Sequence, residues 1–246
     1  MIRKGPLNQL KIWMFAGMCD KSDVLLYLCT LLSSANQKVL LVDGTDTHKY
    51  PLYIGQLDRP LAITEFMKFH VACGFTSQME LEIHLRKEGV DQDKYDFVIY
   101  DIENVTFCSI DTWNVATACT WNMDYGIWSF HKGTEWMNDW IQHTPALTEL
   151  LFQRIYVLTV DCLLEHIFMD SSRDRWPVKL TNESIVIPWD EVDTTLKLGT
   201  EHVRELRIKP LSRRYKRVLC RLIEQLTPLD QSQIKRALLQ VERGNI

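Results

Sequence analysis

The segment from Lys11 to Thr47 constrains the fold of this chain more than any other part of the sequence. Its pattern predicts, in order, a strand (Ile12–Phe15), a tight loop (Ala16–Lys21), a helix (about Ser22–Ser34) and a strand (Val39–Val42) that ends at Asp43. That order indicates a βαβ unit, in which a crossover helix joins two parallel strands. The loop after the first strand then faces the helix N-terminus, where unpaired backbone N–H groups and the helix dipole hold anions.

A later segment repeats the pattern of a buried strand that ends in an aspartate. Lys94–Asn104 reads KYDFVIYDIEN, with the apolar run Phe97–Tyr100 followed by Asp101. Because the carboxyl ends of parallel strands meet at one edge of a sheet, we expect Asp43 and Asp101 on the same edge, beside the anion loop. Magnesium-bound phosphate chemistry needs carboxylates at such a place.

Length and composition favour one large α/β domain. The chain has 246 residues, of which 46% are hydrophobic, and this is enough to bury a full core. There is no internal repeat, low-complexity tract or Gly/Ser linker, so the expected organisation is a single domain over residues 1–246 with a basic helical segment at 200–246. Two small domains are the less favoured alternative. The expected fold is a mostly parallel twisted sheet with helices on both faces.

Charge, cysteines and the N-terminus predict a cytoplasmic protein, with a peripheral position at a membrane as the alternative. The net charge of −4 gives no global reason to expect nucleic acid as a partner. The first ten residues lack the apolar core of a signal peptide, and no run is long enough to span a bilayer. The cysteines are odd in number and form no C-x-x-C pair, which argues for buried, reduced thiols. They are Cys19, Cys29, Cys73, Cys108, Cys119, Cys162 and Cys220.

Other catalytic chemistry finds little support in the sequence. The seven histidines, His166 among them, show no metal-binding spacing such as H-E-x-x-H, and no G-x-S-x-G motif occurs. Cys19 lies at a predicted helix N-terminus, which lowers the pKa of a thiol. The carboxylate of the neighbouring Asp20 opposes that effect, so Cys19 is not expected to be a nucleophile.

Several other segments carry weaker signals. Met1–Leu10 is expected to be an irregular lead-in. Leu61–Phe69 and Gln78–Lys87 show helix-like spacing, although the second also fits a strand. Arg154–Val160 and Ser184–Ile187 read as buried strands.

The middle of the chain, Thr112–Gln142, holds five of the eight tryptophans. Their spacing fits neither one helix face nor strand alternation throughout. One interpretation is several short elements that pack large rings into the core, and it is favoured because aromatic side chains mostly bury. The other is an exposed aromatic surface for a partner.

The last part of the chain, Gly199–Asn245, is expected to be helical and at first basic. Between Arg204 and Arg221 the apolar residues keep helical spacing, which predicts a helix with a core face and a positive face. The positive face is either a solvated surface or a contact for the phosphates of nucleic acid or for anionic lipid. The candidate contact residues are Arg213, Arg214, Lys216, Arg217 and Arg221.

The order of these elements resembles the deviant Walker ATPases of the ParA and MinD type, which have a P-loop NTPase fold. The resemblance is carried by the βαβ start, by KVLLVD, KYDFVIYD and IVIPWDEVD, and by the closing basic helix. In that family the first loop reads approximately K-G-G-V-G-K-T-T and the next strand ends in D-x-D. Counting back from Asp43, as the first aspartate of D-x-D, brings Ala16–Asp23 onto the loop.

The resemblance implies a nucleotide site with ATP and Mg²⁺ as possible cofactors. Lys21 then falls on the phosphate-contacting lysine and Ser22 on the magnesium-binding hydroxyl. Magnesium would be held by Ser22 and Asp43 if a nucleotide binds, and Asp43 and Asp101 are the catalytic candidates if the protein is active. The implied nucleotide-binding residues are Gly17, Lys21, Ser22, Asp43 and Asp101.

The loop departs from the family pattern at several positions. Ala16 stands in place of the signature lysine, and Met18 and Asp20 replace two glycines that let the backbone approach phosphate. Thr45 stands at the second aspartate of D-x-D, and Ile102-Glu103-Asn104 follow Asp101 where the family has Pro and Gly. Since phosphoryl transfer depends on positioning and electrostatics, losing several contacts together should nearly abolish it. Lys21 itself is either a remnant phosphate ligand or a solvated lysine near an Asp20 or Ser22 N-cap.

Two functional hypotheses follow. The first is a catalytically degenerate ParA/MinD-like scaffold or regulator, which would act through protein contacts in positioning or assembling a bacterial machine for partitioning, division, flagella, pili or secretion. The second is an active Mg-ATP-hydrolysing ATPase with a remodelled loop, which would bind DNA or membrane through its basic C-terminal helix. A protein partner is favoured over DNA because the chain is slightly acidic, and a homodimer is possible in either case.

Overall fold

The computed structural model describes residues 10–55, 61–104, 106–161 and 176–244. The expected lead-in at Met1–Leu10 lies almost wholly outside these ranges, as do Cys162 and His166. Within the described residues the strands are β1 (Lys11–Ala16), β2 (Val39–Gly44), β3 (Ile63–Phe66), β4 (Phe69–Ala72), β5 (Phe97–Ile102), β6 (Ala118–Met123), β7 (Leu151–Val157) and β8 (Lys179–Ile187). The helices are α1 (Ser22–Ser34), α2 (Tyr50–Ile54), α3 (Gln78–Lys87), α4 (Ile110–Val115), α5 (Ile127–His143), α6 (Glu191–Val203), α7 (Arg213–Leu226) and α8 (Gln231–Glu242).

The eight strands form one sheet in the order β3-β4-β2-β5-β1-β6-β7-β8. All neighbouring pairs are parallel except β3 with β4, which form an antiparallel hairpin at one edge. The central strands β1, β2 and β5 are nearly continuous apolar runs because both of their faces are buried. The predicted βαβ unit is confirmed, with β5 inserted between its two strands.

Helices cover both faces of the sheet, as the sequence predicts. On one face α1, α7 and α8 pack over side chains such as Phe15 and Leu41. On the other face α3, α4 and α5 pack over alternate residues of the same strands, such as Met14 and Leu40. This division follows from the period of two in a strand, which sends neighbouring side chains to opposite faces.

The tryptophan-rich segment is mostly core, and it spans three elements, of which α4 and β6 are short as expected and α5 is long. Residues 127–143 form the single 17-residue helix α5. Its buried stripe includes Ser129 and Gly133, and an added Cβ at Gly133 would lie 3.3 Å from the ring of Trp121. Small residues occupy buried positions of this helix and make room for the large rings. The helix therefore lacks the regular spacing of apolar residues by which a buried helix face is recognised in a sequence. Trp128 is the exception to burial, since 64% of it is exposed.

The prediction of a helix over Leu61–Phe69 is wrong. This segment contains β3, a two-residue turn at Met67 and Lys68, and the first residue of β4. Its apolar residues happen to be spaced as in a helix, but the strand is a half-buried edge strand whose pairing with β4 is set by the hairpin. Both turn residues have a positive φ, +46° and +65°, which two-residue hairpin turns require and which Asn and Gly usually supply.

Replacing Lys68 with glycine is therefore expected to stabilise the protein. Glycine adopts positive φ without the steric cost that a lysine meets, so the free energy of unfolding should rise by about 0.5–1 kcal/mol after the entropic cost of glycine is subtracted. Urea denaturation would measure it. The control is Lys132→Gly at an exposed position inside α5, which should lose about 1 kcal/mol. A loss of stability in Lys68→Gly would contradict this account of the turn.

The C-terminal segment is helical in three pieces and not throughout. Residue Arg204, at φ +58°, ends α6, and residues 204–212 form a connection before α7. Helix α7 buries the predicted apolar stripe, including Tyr215 and Leu219, and the hydroxyl of Ser212 caps its N-terminus. Among the described residues, no helix combines the length and apolar character that crossing a membrane requires.

Candidate functional site

The loop between β1 and α1 makes an unusually close approach to β6. Gly17 has φ +133°, and an added Cβ there would lie 2.0 Å from the backbone oxygen of Asn122. The Gly17 N–H donates to the carbonyl oxygen of Ile102 at 3.2 Å, and the Asn122 side-chain amide donates to the carbonyl oxygen of Ala16 at 2.9 Å. The loop is thus held against the carboxyl ends of β5 and β6, and only glycine fits at its first position.

Lys21 is buried and paired, with a relative exposure of 1%. Its Nζ lies 2.7 Å from Oδ1 of Asp101 and donates to the carbonyl oxygen of Gly17 at 3.0 Å. Burial disfavours the ammonium, but the hydrogen bond to Asp101 and the charges of Asp101 and other nearby acidic groups, Glu103 among them, together outweigh it, so the pKa of Lys21 lies above its ordinary value. The interpretation of Lys21 as a solvated lysine is wrong, because its side chain points into the sheet edge.

Asp20 supplies a negative charge at the N-terminus of α1. Its Oδ1 accepts hydrogen bonds from the Ser22 N–H at 3.2 Å and from the Ser22 hydroxyl at 3.0 Å. Its Oδ2 is paired with the ammonium of Lys49, which comes from the segment after β2. Burial raises the pKa of Asp20, but the Lys49 ammonium and the Ser22 donors more than offset this, so the pKa lies below its ordinary value. The carboxylate therefore occupies the helix terminus as an internal anion.

Asp43 and Asp101 lie side by side, as the sequence predicts, because they are register partners in the parallel pair β2 and β5. Asp101 is shared between two donors, Lys21 on Oδ1 and the Tyr50 hydroxyl on Oδ2 at 2.7 Å. Asp43 accepts the Thr45 hydroxyl at 2.7 Å and the Thr45 N–H at 3.1 Å, both on Oδ1. Its buried Oδ2 accepts no hydrogen bond within the described residues, and Nδ1 of His48 lies 3.7 Å away.

The Asp43 carboxyl is destabilised in its charged form. Burial raises the pKa of Asp43 above 3.8, the charge of Asp101 raises it further, and the Thr45 hydrogen bonds only partly oppose this. An acid whose pKa is higher in the folded than in the unfolded protein binds more protons when folded. Its contribution to stability is therefore fully present below the unfolded pKa of 3.8, and it is lost as the pH rises through the folded-state pKa.

Asp43→Asn is therefore expected to stabilise the protein at pH 7. Each unit by which the folded-state pKa exceeds the unfolded value costs the wild type about 1.4 kcal/mol at neutral pH, and the neutral amide avoids this cost. Urea denaturation of both proteins across a pH series should show an advantage of the variant that disappears below pH 3.8. Asp46→Asn, an exposed position in the same loop, is the matched control. A pH-independent difference would contradict the assignment.

The residues after β5 replace the Pro-Gly expected from the family pattern with an anchored turn. Glu103 accepts the Asp46 N–H on its carboxylate at 3.2 Å, and its backbone oxygen accepts the indole N–H of Trp136. Burial raises the pKa of Glu103 although the charge of Lys21 opposes this. The turn thus adds a carboxylate near a site that already holds Asp43 and Asp101.

Cys19 is buried in the same loop and is not an activated thiol. Burial raises its pKa to about 12, against the opposing charge of Lys21. A thiol with this pKa is almost wholly protonated at neutral pH. The structure therefore agrees with the expectation that Cys19 is not a nucleophile.

The predicted basic face divides into two groups. Arg213, Arg214 and Arg217 are exposed on α7. Lys216 instead bridges two elements, since its Nζ lies 2.6 Å from Oε1 of Glu242 and donates to the carbonyl oxygen of Lys209. Arg221 lies 3.4 Å from Glu183 on β8. The exposed cationic surface of α7 thus comprises Arg213, Arg214 and Arg217, with half-exposed Arg221 beside Glu183.

Comparison with known proteins finds similar structures but no match by sequence. No family model matches the sequence, and no curated protein matches it by sequence. A chain of the MinC:MinD cell division protein complex from Aquifex aeolicus aligns with a TM-score of 0.59 and 11% identity, covering 90% of this chain and 99% of that chain. The fold is that of the ParA and MinD ATPases. The cell division ATPase MinD of Pyrococcus furiosus (TM-score 0.52, 19% identity, 88% and 99% covered) and a ParA family ATPase from Chlorobium tepidum TLS (0.52, 12%, 86% and 97%) have the same ParA/MinD-type fold.

Three side chains of the site carry no sequence signal of their own. Tyr50 reaches Asp101, Lys49 reaches Asp20, and Asn122 closes the loop from β6. All three come from segments distant in sequence from the residues that they contact. The ParA/MinD-type pattern identifies the loop, but it does not indicate which side chains fill it.

Proposed function

We propose that this chain is a catalytically degenerate ParA/MinD-type protein, a regulator or scaffold in the positioning or assembly of a cellular machine. The observation that carries the proposal is the internal ion pairing of the loop. Lys21 pairs with Asp101 and donates to the Gly17 carbonyl, and Asp20 accepts the Ser22 N–H at the N-terminus of α1. Donors that a phosphate would need are thereby used within the protein.

The loop residues do not fit a magnesium nucleotide in this arrangement. Nucleotide phosphates at this helix terminus would meet the half-exposed Asp20 carboxylate, and like charges at close range repel each other. The Ser22 hydroxyl donates to Asp20, so its oxygen faces a carboxylate and not a cation. Oδ2 of Asp43, which accepts no hydrogen bond from the described residues, is a feature of the site that suits a metal ion. We therefore derive no hydrolytic step from this structure.

The test is calorimetric titration of the purified protein with Mg-ATP and with a non-hydrolysable analogue, together with a phosphate-release assay. We expect no binding at millimolar nucleotide and no turnover. Low-micromolar binding with turnover would reject the proposal. In that case the variant that combines Lys21→Ala with Asp101→Asn, which leaves no unpaired charge, should lose both activities if the loop is the site.

Nucleotide binding with turnover, lost in this variant, would support the alternative function, an active ATPase with a remodelled loop. It would use Lys21, Ser22, Asp43 and Asp101, and ATP binding would require Lys21 to leave Asp101. Mass action would then make the protein more stable in the presence of Mg-ATP, so thermal denaturation with and without the nucleotide gives an independent measurement.

A protein partner is the favoured binding partner under the first proposal. One of the solved proteins with this fold is a MinC:MinD complex, in which the partner is a protein. Two of the five candidate basic residues here, Lys216 and Arg221, face acidic groups of the same chain, which reduces the positive surface left for nucleic acid. Exposed Trp128 and Ile127 at the start of α5 are available for protein contact.

A phosphate-binding role for the remaining arginines has its own test. If they bind DNA or anionic lipid, Arg213→Glu, Arg214→Glu and Arg217→Glu together should abolish binding to duplex DNA or to anionic vesicles without unfolding the protein. The matched control reverses three exposed charges elsewhere, at Arg86, Lys87 and Lys132, and should leave binding intact. Salt-independent binding, or none by the wild type, would count against this role.

A further inference from the structure

The connection between α6 and α7 contains a strand-like segment, residues 205–209, that is not part of the described sheet. The side chains of Leu206 and Ile208 are buried and belong to the core that α1, α7 and α8 cover. The alternate side chains are exposed, and they are those of Glu205, Arg207 and Lys209. This period of two is that of a β-strand with one face packed on a core and the other face in solvent.

The backbone of the strand-like segment is unpaired. Within the described residues, the N–H groups of 205–209 donate no hydrogen bond, and the carbonyl oxygens of 205–207 accept none. The carbonyl oxygen of Lys209, at the end of the segment, accepts the ammonium of Lys216. A strand with free backbone donors and acceptors is a template for pairing with another chain, because those groups form hydrogen bonds wherever a partner is in reach.

Open space lies alongside the segment. A cavity of about 710 Å³ is lined by residues 205–210, by the end of α8 at Val241, Glu242 and Gly244, and by Met67 of the hairpin turn. Because six consecutive residues line it, the cavity follows the segment along its length. Paired strands lie about 4.8 Å apart, and the cavity leaves room for a second chain to come this close to the backbone.

The charges on the exposed face are self-complementary. Glu205 and Arg207 are two residues apart, their Oε2 and Nη2 atoms are 2.8 Å apart, and both side chains are more than half exposed. In an antiparallel pair centred on Leu206, two copies of the segment place Glu205 of each copy opposite Arg207 of the other. Opposite charges at facing positions favour strand pairing, and like charges oppose it.

This pattern of charges selects among the possible partners. Charged side chains on a free strand usually prevent association, and proline cannot donate to a ladder, so Lys209 and Pro210 limit the pairing at one end. In the centre, Glu205 and Arg207 together carry no net charge, which gives the segment no preference for a strongly acidic or strongly basic strand. A two-fold contact requires a surface that complements itself, and the centre of this segment has that property.

We propose that two copies of this chain associate through residues 205–209, which pair as antiparallel strands about a two-fold axis at Leu206. Backbone hydrogen bonds supply the contact and the two Glu205–Arg207 pairs fix its register. The proposal uses no residue of the Gly17 loop, and it does not depend on the function proposed for that loop.

The test is an exchange of charges between the two positions, followed by sedimentation equilibrium of the full chain over a range of concentrations. We expect the wild type to form a dimer as its concentration rises. Arg207→Glu and Glu205→Arg each place like charges opposite one another at two positions, so each should raise the dissociation constant of the dimer about ten- to hundredfold.

An equimolar mixture of these two variants restores opposite charges at both facing positions, so it should form a heterodimer with about the affinity of the wild type. A role of the two side chains in folding alone would give no such recovery. Lys132→Glu is the matched control, since Lys132 is similarly exposed and similarly paired, with Glu135 on α5, and it should leave the association unchanged. Deuterium exchange at the amides of 205–209 should slow as the protein concentration rises, which locates the contact.

Three outcomes would overturn the proposal. The first is a wild type that stays monomeric at every concentration. The second is a dimer that neither single variant weakens, which would place the contact elsewhere on the chain. The third is a dimer that both variants weaken but that their mixture does not recover.

Discussion

Replacing Lys21 with methionine is expected to lower the free energy of unfolding by about 3–5 kcal/mol, because the change leaves the Asp101 carboxylate buried without its cation. Both side chains of this pair are about 1% exposed, so solvent cannot replace the lost partner. Urea denaturation at pH 7, followed by circular dichroism, measures the effect. Methionine keeps most of the volume of lysine, so the loss reports the charge and not a cavity.

The control for this prediction lies in the same site. Lys49→Met removes the ion pair with Asp20, but both groups of that pair are partly exposed, so the loss should be at most about 1 kcal/mol. Adding Asp101→Asn to Lys21→Met should restore much of the stability, since the amide oxygen can still accept the Tyr50 hydroxyl. A loss below 1 kcal/mol in Lys21→Met would show that the buried pair is not formed in solution.

Gly17→Ala is expected to destabilise the protein by about 2–5 kcal/mol, the sum of an unfavourable backbone conformation and an overpacked contact. The new methyl carbon would lie 2.0 Å from the backbone oxygen of Asn122, so β6 or the loop has to move. That movement would also disturb the Asn122 bond to Ala16 and the position of Lys21. Thermal and urea denaturation should both detect it.

Gly89→Ala separates the two contributions. Gly89 also has positive φ, +65°, but an added Cβ there would meet no atom within 4 Å. It should therefore cost only the backbone part, about 1–2 kcal/mol. Equal losses in the two variants would mean that the loop does not lie against Asn122 as the structure has it.

Much of the central architecture could be predicted from local patterns. The apolar runs before Asp43 and Asp101, and the helix between the first two strands, have the lengths and periods that parallel strands and a crossover helix need. The carboxyl ends of these parallel strands were expected at the same edge of the sheet, and the register of β2 and β5 confirms this expectation. Prediction failed at Leu61–Phe69 and over α5, where the edge pairing and the packing of small residues on tryptophan rings determine the structure.

The sequence by itself determined the βαβ core, the edge on which its aspartates lie and the presence of Met18 and Asp20 in the first loop. Only the tertiary structure decided that Lys21 pairs with Asp101, that Lys49 neutralises Asp20, and that the Tyr50 hydroxyl reaches Asp101. The physical reason is that the spacing of apolar residues indicates which face of a helix or strand is buried. This spacing is a property of residues that are close together in the chain. Which charges meet depends on the order of strands in the sheet, and that order is fixed by contacts between segments far apart in the chain.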